Sequence, residues 1–309
     1  MSRAGGASDD PSPRGVEAPG GASGRCSIEG ATLDAGLYRV RYGLWDVPSC
    51  GRYVGEITRG PLAGERVLIT CGGEQPMPPA AARARLVPGG RGIAALLYIG
   101  RLDGCAGVVH AMVERMPAGV PASLWQGRMA VRDVIEIGVR VAQICARAHA
   151  AGQVVGWLRP ELLYVDGGPG GLALTAMAPR CERFLRKARR PLAAPYPFER
   201  LLAPPEAILV DDGPASDVYS LAGTLGVLAT GAYPYGPGDS HTDMHSTLQR
   251  RERTWSMPAP LARVLAPALA YAPAARPSMA ALAVALARLG PMPAARLGVP
   301  PPSLPRPSL

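Results

Sequence analysis

Side chains able to move protons, hold a metal or grip a phosphate are scattered along this chain. The segment GQVVGWLRPELLYVDGG, Gly152 to Gly168, reads as an apolar strand, a tight turn carrying Arg159, Pro160 and Glu161, and a second apolar strand. A turn in that setting is a place for chemistry, yet it presents Trp157 and Leu162 where reactive groups would stand. Its acids are Glu161 and Asp166. Further on, HTDMH sets His241 and His245 four apart with Asp243 between, a spacing that on a helix could hold a metal. A loop-like YPYGPGDS precedes it and no third strong ligand stands nearby, so a solvated loop is the plainer reading. Cys26, Cys50, Cys71, Cys105, Cys145 and Cys181 lie far apart with no C-x-x-C pairing. That spacing suggests neither a zinc site nor a disulfide framework, and it fits reduced thiols in a cytoplasm.

The elements that must position these residues divide the chain. Residues 1–34 are rich in Gly, Ser, Ala, Pro and Asp without periodicity, the composition of a disordered leader. From about 36 to 115, short β-like runs recur (LYRVRYGL, RYVGEIT, RVLIT, AALLYIG, VVHAMVE) with Gly and Pro between them. From about 130 to 290 helical periodicity takes over. Residues 131–149 place Val131, Val134, Ile135, Gly138, Val141, Ala142, Cys145 and Ala148 on one stripe, ending near Gly152. Residues 217–230 are apolar nearly all round, as a central buried helix is, and Met279, Leu282, Ala283 and Leu286 form the inner face of a last helix. Residues 291–309 form a proline-rich tail with a Pro302-x-x-Pro305 spacing.

The formal charge of +9 comes almost entirely from arginine, because Lys187 is the single lysine. An Arg, Ala, Gly and Pro-rich composition is what GC-rich coding produces, and the arginines are spread apart from one cluster, RCERFLRKARR, at 180–190. Nucleic acid therefore ranks well below a protein partner. No run of about 18 uninterrupted apolar residues exists, so a soluble, cytoplasmic chain without a membrane span is expected.

The order of these elements and several local words resemble the bacterial Ser/Thr protein kinase family over roughly 36–290. ARAHAAGQVVGWLRPELLYVDGG is similar to its helix and catalytic loop, and LLAPPE to its Ala-Pro-Glu motif. SDVYSLAGTLGVLATGAYPY is similar to its central helix, and YAPAARPSM to its Pro-x-x-Arg-Pro segment. The resemblance implies an α+β, bilobal protein-kinase-like fold over 35–290. A β-rich N-lobe would occupy about 35–115 and a larger helical C-lobe about 116–290, with a ligand cleft between them.

The resemblance fails where the family's chemistry resides. Trp157 stands at the position of the aspartate that accepts the proton of the attacking hydroxyl. Leu162 and Ala176 stand at the two metal-binding positions, and Thr70 at that of the phosphate-gripping lysine. A residue near Arg83 takes the place of that lysine's glutamate partner, and only Gly43 and Gly51 match the phosphate-covering loop. The implied protein is a pseudokinase without cofactor or metal, and not an enzyme.

Scaffold residues are kept. Asp217 matches an aspartate that accepts amide hydrogen bonds from the catalytic loop and caps the central helix, while Glu206 and Arg276 match a buried ion pair. Arg180, Arg183, Arg186, Lys187, Arg189 and Arg190 fall in the segment that docks substrates in active relatives, and here would dock a protein such as an active kinase or its substrate. The alternative is a sensor that binds a nucleotide or another small molecule in the cleft without metal.

Overall fold

The computed structural model describes residues 30–47, 50–72, 92–103, 110–156, 158–168, 171–178, 202, 204–208, 213–233 and 256–290. The fold is mixed α/β, with most strands early in the chain and the helices after them. Strands β1 (Thr32–Leu33), β2 (Tyr38–Val47), β3 (Cys50–Ile57), β4 (Arg66–Gly72), β5 (Leu96–Asp103) and β6 (His110–Arg115) close into a barrel in the order β1-β2-β3-β4-β6-β5.

Alternation drives this part. Leu33, Tyr38, Val40, Tyr53, Ile57, Val67, Ile69, Cys71, Ala111 and Val113 point inward and form the barrel core. The five runs expected as strands correspond to β2 through β6. One boundary is corrected: β1 lies within the stretch assigned to the leader. Leu33 is fully buried in the barrel core, and β1 pairs with β2 on one side and β5 on the other. A two-residue strand gives too short an alternation to read in sequence.

Strands β2 and β3 pair from Tyr38↔Ile57 to Val47↔Cys50, with register shifts between Val40 and Tyr42 and between Gly43 and Trp45.

Among the described residues the rest is built on four α-helices: α1 (Val131–Ala150), α2 (Pro214–Thr230), α3 (Ala259–Ala268) and α4 (Met279–Ala287). All eight residues of the expected α1 stripe are buried, and so are Met279, Leu282, Ala283 and Leu286 of α4. Helix α2 is buried on every side from Ser216 to Ala229. Gly138 lets α1 approach α2, because a Cβ there would lie 2.8 Å from Leu225 Cδ1. A small sheet, β7 (Val120–Pro121), β8 (Leu163–Gly168) and β9 (Gly171–Met177), lies beside this core in the order β7-β8-β9.

The first apolar run of the opening segment is not a strand. Residues 153–156 and 158 carry no ladder pairing, and the turn after them is a 3-10 turn, Pro160–Leu162. The second run is β8, as its alternation suggests. Among the described residues no helix is long and apolar enough to cross a membrane.

Candidate functional site

Instead of a strand partner, the Val155, Gly156 and Leu158 amides find side chains of α2. The Val155 and Gly156 N–H groups each donate to the Asp217 carboxylate at 2.7 Å, one to each oxygen. The Leu158 N–H donates to Ser220 Oγ at 3.0 Å, and the Thr224 hydroxyl donates to Leu158 O at 2.8 Å. Asp217, Ser220 and Thr224 recur at i, i+3 and i+7, one face of a helix. A polar stripe on a helix that is otherwise apolar all round must find partners, because unpaired buried polar groups are costly. That stripe is a readable sequence signal, and only Asp217 was drawn from it.

His149 on α1 completes the clamp, with Nε2 at 2.8 Å from Asp217 Oδ2. Gly156 has φ +90°, a backbone angle at which a side chain is strained, so glycine suits this turn of the clamp. The expected capping role of Asp217 is corrected. The helix begins at Pro214, and Ser216 Oγ accepts the Gly213 N–H at 3.3 Å. The Asp217 oxygens face the 155–156 amides instead, although its charge still sits in the favourable first turn.

Glu206 and Arg276 meet in a bidentate pair at 2.6 and 2.8 Å. Arg276 also donates to the carbonyls of Ala270, Ala215 and Tyr271, and stacks 4.8 Å from the centre of the Tyr219 ring. Ser216 Oγ donates to Glu206 Oε1 at 2.8 Å. Burial pushes the Glu206 carboxyl up, but the bonds from Arg276, its own backbone and Ser216 outweigh that and hold it below its ordinary value.

The degenerate positions fall as follows. Leu162 is fully buried at the end of the 3-10 turn and its carbonyl accepts the Ala178 N–H at 2.8 Å. Ala176 lies opposite Tyr164 in the β8–β9 ladder, two residues before the Ala178 that bonds Leu162. Thr70 is fully buried on β4, between Arg52 of β3 and Met112 of β6, and its Oγ1 finds no hydrogen-bond partner among the described residues. Neither Leu162 nor Ala176 offers a metal an oxygen from its side chain.

Trp157 lies outside the described residues, as do Arg83, the His241/Asp243/His245 group and the basic run Arg180, Arg183, Arg186, Lys187, Arg189 and Arg190. Residues 1–29 and 291–309 also lie outside them. Asp166 accepts the adjacent Gly167 N–H at 2.9 Å, closing its own turn. Burial raises the Tyr233 phenol, with Glu161 adding to that shift and Arg159 opposing it. Among the described residues no group of three or more His, Cys, Asp and Glu could hold a metal ion.

One charged pair escaped the sequence reading. Arg52 NH2 lies 3.8 Å from Glu114 Oε2, with both side chains at 1% exposure or less, and Arg52 is the cross-strand neighbour of Thr70. A search for a lysine passes over it.

No family model and no curated protein sequence matches the chain. Among solved structures, the chain is similar to the crystal structure of Rad53 1-466 in complex with AMP-PNP, at TM-score 0.62 and 12% identity. The match covers 81% of this chain and 64% of that one, so this chain spans less than two thirds of the kinase it matches. At that identity the likeness speaks for the fold, which is protein-kinase-like.

Proposed function

We propose that the chain is a pseudokinase. In this reading it is a bilobal kinase-like domain without phosphoryl transfer, acting as a protein-binding scaffold or allosteric regulator in a bacterial signalling or assembly pathway, in the cytoplasm. One observation carries the reading: the clamp is kept while the chemistry beside it is missing. Asp217, Ser220 and Thr224 hold the backbone of Val155, Gly156 and Leu158. Yet the residues at the positions this clamp would serve are Trp157, Leu162 and Ala176, and Thr70 stands at the position of the phosphate-gripping lysine.

Phosphoryl transfer is almost wholly positioning and charge neutralisation, supplied by metal ions, a lysine and a base. Losing all of them removes those contributions together. What such a fold retains is shape, and shape serves binding. The basic run Arg180 to Arg190 supplies charge for an acidic protein surface.

The test is a phosphotransfer assay on the full chain with magnesium and with manganese, using general protein substrates and the chain itself. No transfer is expected. Reproducible turnover that a substitution at Thr70 or Ala176 abolishes would falsify the reading. Replacing the basic run with neutral residues is expected to release a partner recovered with the wild-type chain and to leave the fold intact by circular dichroism.

A further inference from the structure

One patch of the barrel's outer face is shut off from solvent. On β4, Val67, Ile69 and Cys71 point into the barrel core, so Leu68 and Thr70 point out of it. The registers Arg52↔Thr70↔Met112 and Val54↔Leu68↔Glu114 give two cross-strand rows on that outer face. All six residues are at 2% exposure or less. Something within the chain covers them.

Part of the cover is visible in one apolar cluster. Leu68 packs in it with Ala94, Tyr164 and Ala178, and Met116 lies against it. Tyr164 stands opposite Ala176 on β8–β9, and Leu68 stands two residues before Thr70 on the same face of β4. A ligand lying between Thr70 and Ala176 would meet this cluster. A backbone strap adjoins it: the Ala94 N–H donates to Met177 O, and the Met177 N–H donates to Gly92 O, each at 2.8 Å. The guanidinium next to Thr70 faces the Glu114 carboxylate on the same buried face.

We infer that Leu68 and Tyr164 form a built-in plug that excludes a purine from this site, and that the closed arrangement of barrel and small sheet needs no nucleotide. The inference rests on the pseudokinase reading and deepens it. The plug supplies the apolar surface a purine would otherwise provide, and Glu114 supplies the negative charge that a phosphate would bring to Arg52. Among small-molecule ligands for the cleft, it excludes purine nucleotides.

The experiment compares the full-length wild type with Leu68→Ala, titrating adenosine and metal-free ATP by calorimetry and thermal shift. Truncating a side chain in an apolar cluster leaves a cavity that an aromatic ligand can enter. The wild type is expected to show no saturable binding at millimolar ligand. The variant is expected to gain saturable adenosine binding at least about tenfold tighter than the wild-type limit, with ATP no tighter than adenosine because Glu114 already faces Arg52. Wild-type binding of either ligand, or a folded Leu68→Ala protein with no gain, overturns the plug.

Hydrogen exchange of the wild type keeps the idea testable should the variant not fold. The Ala94 and Met177 amides are expected to be protected without ligand and unchanged by millimolar ATP. Fast exchange that ATP slows would overturn the plug. A wild type that binds ATP but transfers no phosphate defeats the plug and leaves the pseudokinase reading standing, whereas turnover defeats both.

Discussion

At position 157 a tryptophan offers no lone pair to accept a hydroxyl proton, but it is one loss among several. Restoring the base alone leaves Thr70, Leu162 and Ala176 without a cation or metal oxygens, so Trp157→Asp is expected to transfer no phosphate in a radiolabel assay. Detectable turnover from that single change would mean that another group performs the missing roles. Asp217 predicts the reverse kind of sensitivity. Its carboxylate serves two buried amides and His149, so Asp217→Ala strands donors that water cannot reach. The expected cost is about 3 kcal/mol, roughly 10 °C in Tm for a domain of this size. An unchanged melting curve would show that the clamp is dispensable. The scaffold residues were legible in the words APPE, SDVYS and ARPSM because they recur in a fixed order. Thr70 and Ala176 are legible as absences, whereas Leu68, Arg52 and Tyr164 read as ordinary strand residues, and only the tertiary fold shows that one patch of the barrel's outer face is buried and that Leu68 packs with Tyr164 of the small sheet.

Elements show why some patterns could be read and others not. Helices α1 and α4 and strands β2 to β6 follow from period and alternation, since each buries one face. The run at 153–158 has the composition of a strand, but polar groups on α2, about sixty residues away in sequence, take the backbone groups of Val155, Gly156 and Leu158. Tertiary hydrogen bonding overrode local propensity there, and nothing local could signal it. The link between the Ala-Pro-Glu-like turn and the segment before α4 is a second tertiary element, and its pH behaviour follows from the depressed Glu206 carboxyl. A carboxyl whose folded pKa lies below its unfolded value of about 4.3 stabilises the fold above that pH and stops doing so as pH falls through the folded pKa. Glu206→Gln is therefore expected to lose stability at neutral pH and to narrow its gap to the wild type in acid. Urea midpoints at pH 7 and pH 3.5 would check this, and a gap that widens in acid would contradict it. Arg276→Ala leaves Glu206 without its principal partner and is expected to cost about 3–5 kcal/mol.

For the whole molecule, the least legible feature is the two-residue strand that closes the barrel. β1 pairs with β2 and with β5, and Leu33 is fully buried among Tyr38, Val40 and the other inward residues. Without it, two strand edges and part of the apolar interior would meet water. Deleting residues 1–29 is expected to leave the urea midpoint unchanged, because Gly30 still donates to Val40 O and Val40 still donates to Ala31 O. Deleting residues 1–36 is expected to lower it sharply. Leu33→Ala should fall between, at about 2–5 kcal/mol, because the missing carbons leave a cavity the closed barrel cannot fully fill. The turn after β1 supplies an opposing change: Asp34 and Ala35 both have positive φ, at 53° and 51°. Left-handed backbone is costly for residues with a Cβ, so Ala35→Gly is expected to stabilise the fold by about 1 kcal/mol. Equal midpoints for the 1–29 and 1–36 deletions would show that the barrel holds without its closing strand. A lower midpoint for Ala35→Gly would show that the turn is set by something other than that strain.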